Sequence, residues 1–203
     1  MTIDDVMTAA PVIPVLVLDG TLDPVALAET LVEAGLPVLE VTLRTPQAIA
    51  AIAAMARVPG AIVGAGTVLN ADHLARAADA GASFIVAPGL TEPMTRATLD
   101  RGLAYLPGVA TAGDIMRGMD LGLSRFKFFP AEAAGGLAAL DALAAPFFEA
   151  RFCPTGGIRR DTAPAWLSRA AVRCVGGSWI VPKGETDLNV IAAIARDAAA
   201  LRG

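Results

Sequence analysis

The chain is poor in the residues on which much protein chemistry depends: it has one histidine, two cysteines, one tyrosine, two tryptophans and, among sixteen basic residues, only two lysines. Each scarcity excludes something. The lone His73 lies in a helical pattern and reads as a surface residue, since a single imidazole supplies neither a metal-ligand set nor a histidine-based triad. Cys153 and Cys174 each interrupt an apolar run, where cysteine serves as a small core hydrophobe, so no disulfide is expected. No uninterrupted apolar stretch approaches the ~18 residues that span a bilayer. The acidic start Met1-Thr2-Ile3-Asp4-Asp5 does not follow the basic-then-apolar order of a secretory signal, so no membrane association and a cytoplasmic location are expected. A net charge of −4, with no basic cluster larger than Arg159-Arg160, argues against a nucleic-acid partner.

What is present is a regular alternation. Short apolar runs at 12–17, 37–43, 61–65, 83–87, 103–106, 125–129, 151–154 and 171–175 alternate with helical patterns. Their starts are spaced about 23 residues apart, close to one strand-plus-helix unit. Asp23-Pro24, Thr45-Pro46, Asn70, Thr91, Thr111 and Asp161 are helix-start signals, and Gly35 and Gly81 are stops. Ile115 and Met119, then Leu137, Leu140 and Leu143, and finally Leu188, Ile191, Ile194 and Leu201 recur at helical spacing as core faces. With no linker or shift in composition, the pattern predicts a single parallel-stranded domain over residues 1–203, closed as a (β/α)8 barrel near the ~200-residue lower limit of that fold. An open doubly wound sheet is the alternative, but no Gly-x-Gly-x-x-Gly follows the first run.

Against the scarcity of lysine, the strand Arg125-Phe126-Lys127-Phe128-Phe129-Pro130 stands out. A period of two puts Phe126 and Phe128 on one face and Lys127 with Phe129 on the other. An amine among buried groups loses hydration, which disfavours the ammonium and leaves a nucleophile. The plain alternative is an edge-strand lysine whose amine reaches water. In the second run, Leu39, Val41 and Leu43 would face helices and Glu40, Thr42 and Arg44 the interior. A buried carboxylate is costly unless paired or used. Glu40 and Arg44 therefore form either a structural ion pair or a working set, with Glu40 moving protons beside Lys127 and Arg44 holding a substrate carboxylate. Thr67, read on the same face as Val63 and Ala65, offers that carboxylate a hydroxyl. Two glycine pairs, Thr155-Gly156-Gly157 after the seventh run and Gly176-Gly177-Ser178 after the eighth, stand where such barrels bind phosphate.

Together these stretches resemble the 2-keto-3-deoxy-6-phosphogluconate (KDPG) aldolases, also described as 4-hydroxy-2-oxoglutarate aldolases. The motifs are Leu39-Glu40-Val41-Thr42-Leu43-Arg44-Thr45, Gly64-Ala65-Gly66-Thr67-Val68, Pro88-Gly89-Leu90-Thr91, Phe126-Lys127-Phe128-Phe129-Pro130-Ala131-Glu132, Pro154-Thr155-Gly156-Gly157 and Gly176-Gly177-Ser178-Trp179. The resemblance implies a homotrimeric class I aldolase acting on a small phosphorylated 2-keto-3-deoxy sugar acid, with no metal and no cofactor. It implies Lys127 as the Schiff-base lysine, Glu40 as the acid/base, Arg44 and Thr67 on the pyruvyl carboxylate, Phe129 in the pocket wall, and the late glycines with Ser178 on phosphate. Ala87 departs from the serine usual before Pro88-Gly89. An aldolase for the C4-epimeric galactonate substrate, or a sugar-phosphate-binding barrel without catalysis, would share much of this pattern.

Overall fold

The computed structural model describes residues 1–201. In chain order the strands are β1 (Val12–Leu16), β2 (Val38–Thr42), β3 (Ile62–Gly66), β4 (Phe84–Val86), β5 (Ala104–Leu106), β6 (Gly108–Val109), β7 (Arg125–Phe128), β8 (Arg151–Pro154) and β9 (Val175–Gly177). The helices are α1 (Ile3–Thr8), α2 (Pro24–Glu33), α3 (Ala48–Met55), α4 (Ala71–Asp79), α5 (Glu92–Leu99), α6 (Ala112–Asp120), α7 (Gly136–Ala144), α8 (Ala163–Leu167) and α9 (Leu188–Ala199), with a 3-10 turn at Ser178–Ile180. All strand pairing is parallel: one sheet runs β5-β4-β3-β2-β1-β9 and another β6-β7-β8. Isolated parallel bridges, Phe152 with Val172 and Thr155 with Gly176, link β8 to the β9 side. Among the described residues no helix is long and apolar enough to cross a membrane.

Alternation along the strands sorts side chains into two cores. Leu39, Val41, Val63, Ala65, Ile85, Phe126, Phe128 and Phe152 join the helices in the outer, larger cluster. Ile13, Val38, Phe84, Val86, Ala104, Leu106, Cys153 and Cys174 form the inner cluster, where Val6 and Met7 of α1 also pack. Ile13, Val38, Phe84 and Ala104 are the first or second residues of their strands. The short α1 therefore covers the amino ends of a curled parallel sheet. Both cysteines are buried thiols, as the apolar runs predict.

Local chemistry accounts for most element boundaries. Asp23, Asn70 and Thr111 cap their helices through side-chain acceptors, and the Thr111 cap is a reciprocal box with Asp114. Gly35 and Gly81 adopt left-handed φ just past their helices. Two starts differ from expectation. Thr45 does not cap α3, whose N-cap is Gln47; its hydroxyl instead donates to the Leu18 carbonyl. The N-cap of α8 is Thr162, without a side-chain capping bond, while the Asp161 carboxylate accepts from Arg159. Met119 is exposed rather than part of a core face. His73 is half-buried, with its Nδ1 shielded from water, and lines a small cavity with Leu43, Thr45 and Ile49, so it is not the plain surface residue expected.

The fifth and eighth runs also shift. Pro107 separates β5 from β6, since it has no N–H to give the ladder, while its carbonyl accepts from the Lys127 amide at 2.8 Å. The last strand is Val175–Gly177 rather than 171–175, so Gly176 and Gly177 lie within it, paired with Ile13 and Pro14. Close approach explains the glycines. A Cβ on Gly176 would lie 2.3 Å from Thr155 Oγ1, and one on Gly177 2.6 Å from the Trp179 ring.

Candidate active site

The centre of the site is two charged side chains removed from water. Lys127, in the middle of β7, and Glu40, in the middle of β2, are 5% and 3% exposed. The Lys127 Nζ donates to Glu40 Oε1 at 3.1 Å and lies 3.5 Å from Oε2. The residues 87 apart in sequence meet because each takes the inner face of its strand, with phenylalanines or aliphatics on the outer face. Burying one charge alone would cost several kcal/mol, roughly, so each requires the other. The Phe129 ring lies 5.4 Å from Nζ, a cation–π distance that adds a second, weaker attraction.

Space for the pair comes from β3. A Cβ on Gly66 would lie 2.2 Å from Glu40 Oε1, and one on Gly64 2.4 Å from the Phe84 ring. The missing side chains admit the carboxylate at one level and the ring beneath it at the next. In the sequence, Gly64 and Gly66 stand only as part of a motif, with nothing to indicate that they make way for Glu40.

Arg44 and Thr67 sit together at the neighbouring strand ends, on a different logic from simple alternation. β2 stops at Thr42, the Arg44 amide donates to the Thr42 carbonyl at 2.8 Å, and the exposed Arg44 directs its Nε to Thr67 Oγ1 at 3.2 Å. Among the described residues, the partner of Glu40 is Lys127 and no ion pair joins it to Arg44. Thr67 does not share the inner face with Val63 and Ala65, which face the helices; it follows β3 with φ 57, turning its hydroxyl toward Arg44. A non-glycine residue in that region is strained by of order 1–3 kcal/mol, held here by its surroundings. Thr42 is also inward and buried, with its hydroxyl committed to the Leu16 carbonyl.

The loop after β8 adjoins the lysine strand. Thr155 is buried and donates to the Cys153 carbonyl at 3.3 Å, while Gly156 and Gly157 have φ of 102 and 81, a conformation strained for any side chain. A Cβ on Gly156 would lie 3.3 Å from Pro130 Cα and 3.4 Å from the Phe129 ring. The Thr155–Gly176 bridge joins this loop to β9, and the exposed Ser178 follows. Ser178 borders a cavity of about 440 Å³ at the carboxyl ends of β1 and β9, lined also by Val15, Asp19, Thr21, Lys183 and Glu185. Ala87, at the end of β4, is buried. Among the described residues no group of three or more histidine, cysteine, aspartate or glutamate side chains is placed to hold a metal ion.

Chemically, an amine beside a carboxylate in a desolvated site can add to a carbonyl while the carboxylate moves protons. Parallel α/β architecture with such a pair at its centre fits the aldolases, which are carbon–carbon lyases. The chain belongs to the family described as KDPG and KHG aldolase, which matches residues 3–196. It is 54% identical to the 2-dehydro-3-deoxy-phosphogluconate aldolase of Zymomonas mobilis over 98% of this chain and 96% of that one. It is 48% identical to the KHG/KDPG aldolase of Escherichia coli over 96% and 93%. Its fold superposes with a TM-score of 0.95 on the KDPG aldolase of Legionella pneumophila, 39% identical and covering 98% of each chain, a structure with pyruvate captured as a covalent carbinolamine intermediate.

Proposed function

We propose that this chain is a class I aldolase that reversibly cleaves 2-keto-3-deoxy-6-phosphogluconate to pyruvate and D-glyceraldehyde 3-phosphate. The observation that carries the reading is the buried Lys127–Glu40 contact of 3.1 Å. Cleavage β to a ketone leaves an electron pair that an iminium accepts. With its proton passed to Glu40 or to water, Lys127 adds to C2 of the substrate, and loss of water gives the protonated imine. Glu40 then takes the proton of the C4 hydroxyl, the C3–C4 bond breaks, and its electrons move into the imine to give an enamine and the aldehyde. Glu40 returns a proton to C3, and hydrolysis of the imine releases pyruvate and restores the amine. Arg44, steadied by Thr67, pairs with the substrate carboxylate; Phe129 forms the wall beside the amine. Thr155, Gly156, Gly157, Gly176, Gly177 and Ser178 receive the phosphate, which the adjacency of the β8 loop to β9 supports.

The same reading takes the two sheets as one closed (β/α)8 barrel in a single domain. It is supported by β5 and β6, segments of one strand interrupted at Pro107, and by the bridges from β8 to the β9 side. Cytoplasmic location and a homotrimer complete the proposal. A dual name, KHG/KDPG aldolase, on a relative 48% identical supports 4-hydroxy-2-oxoglutarate as a second substrate. The test is pyruvate release from each substrate by the purified chain, with and without a chelator. Release unaffected by chelator is expected. No release, or release abolished by the chelator, contradicts the proposal.

A further inference from the structure

The mechanism leaves one carboxylate close to the site unused, that of Glu132, five residues after Lys127 in the sequence. Its backbone and side chain engage the Thr155–Gly157 loop at two successive residues, Gly156 and Gly157. The Glu132 amide donates to the Gly156 carbonyl at 3.1 Å, next to the Ala131 amide, which donates to the Thr155 carbonyl at 2.8 Å. Its methylenes occupy the space that a side chain at position 157 would need: a Cβ on Gly157 would lie 2.7 Å from Glu132 Cβ and Cγ. Beyond the loop, Glu132 Oε1 accepts from Trp166 Nε1 at 3.2 Å, on α8. Trp166 is only 1% exposed and packs its ring 6.3 Å from Phe128 on β7, so this far anchor belongs to the core. One otherwise exposed glutamate thus spans the loop from the strand carrying Lys127 to the helix that follows.

We propose that Glu132 is a positioning residue for substrate selectivity: it fixes the Thr155–Gly157 loop at a set distance from Lys127 and so determines how well the phosphate end of the substrate is held. The inference rests on the aldolase reading, with phosphate at that loop. Glu132 touches neither the amine nor the acid/base in the hydrogen bonds it makes. Its effect is therefore confined to substrates that reach the loop. A phosphorylated substrate senses a displaced loop through lost hydrogen bonds, whereas 4-hydroxy-2-oxoglutarate, which has no phosphate, does not.

The experiment compares wild type, Glu132→Ala and Glu132→Gln on the two substrates, with pyruvate-plus-borohydride labelling as the measure of an intact lysine. Alanine keeps Cβ but removes Cγ from the wedge against Gly157, and it removes the acceptor for Trp166. It is expected to raise KM for 2-keto-3-deoxy-6-phosphogluconate about tenfold or more, with kcat/KM on 4-hydroxy-2-oxoglutarate within about twofold of wild type and labelling unchanged. Glutamine keeps the methylenes and an acceptor oxygen, and is expected to retain the wild-type ratio. Equal losses on both substrates, an unchanged ratio in the alanine variant, or a glutamine variant as impaired as alanine would each overturn the proposal. A wild-type protein that cleaves neither substrate would instead refute the aldolase reading, so the two failures are distinguishable.

Discussion

The inner face of the curled sheet has two levels that obey the same alternation and do different work. At the amino ends, Ile13, Val38, Phe84 and Ala104 pack with Val6 and Met7 in an apolar layer. Nearer the carboxyl ends the same face presents Glu40, Thr42, Lys127 and Thr155, all buried and all polar. β2 carries both: Val38 is in the lower layer, and Glu40, two residues on, is in the upper. The difference teaches that strand geometry sets only where a side chain points. Toward the carboxyl ends apolar and polar residues share that face, since Val86 and Leu106 still belong to the apolar cluster, while the polar ones gather on β2, on β7 and just after β8. Burial of Lys127 and Glu40 is tolerable because each is the other's counter-ion, and it keeps an amine and a carboxylate within hydrogen-bond reach where little water enters.

The comparison can be broken most sharply at Lys127. Lys127→Arg keeps a cation for Glu40 but forms no imine, so kcat/KM is expected to fall by about 10⁴-fold or more, with thermal unfolding little changed. Steady-state kinetics alongside calorimetry separates the two effects; appreciable residual turnover would contradict the assignment. The reciprocal change in the lower layer, Phe84→Ala, is expected to cost about 3–5 kcal/mol in stability, because a fully buried ring leaves a cavity against Gly64. Denaturant titration measures it, and turnover per folded molecule should remain close to wild type if the layers are separate.

Gly66→Ala tests the boundary between them. The new methyl would displace the Glu40 carboxylate, and a misplacement of this kind costs about 100-fold in kcat. Shortening the acid in the same background, Gly66→Ala with Glu40→Asp, should recover part of the loss, and pyruvate labelling of the lysine should survive in both. The smallest effect belongs outside both layers, at the α6 cap. Burial raises the Asp114 pKa, but bonds from the Ala110 amide, the Thr111 hydroxyl, Arg117 and the Thr111 amide outweigh it and hold the group below the usual carboxylate range. Its contribution to stability is therefore present above the ordinary carboxylate pKa and fades as pH falls through the depressed value. Thr111→Ala should lower stability by about 1 kcal/mol near neutrality, with the difference from wild type shrinking in acid and kinetics unaffected.

Much of this arrangement was legible before any coordinates. A rare lysine alternating with phenylalanines, and a glutamate alternating with leucine and valine, are set by a period of two on the face opposite their apolar neighbours, which makes an inner placement readable. Where alternation stops, legibility stops. Arg44 lies beyond the end of β2 and Thr67 beyond β3 in a left-handed conformation, so counting faces put Thr67 with the wrong neighbours. Gly176 and Gly177 read as a loop because glycine is a turn signal, whereas their reason is the nearness of Thr155 and Trp179. Glu132 stands at the end of the lysine motif, but nothing in the sequence names its partner, since Trp166 is 34 residues away and only the folded chain brings the indole to it.

The central claim is that Lys127 is the amine that adds to the substrate carbonyl. With Lys183 as the only other lysine, the claim has a nearly binary readout. The protein is incubated with pyruvate and borohydride, digested, and mapped by mass. The account predicts a reduced pyruvate adduct on the peptide containing Lys127. No adduct, or one confined to the peptide containing Lys183, would contradict it.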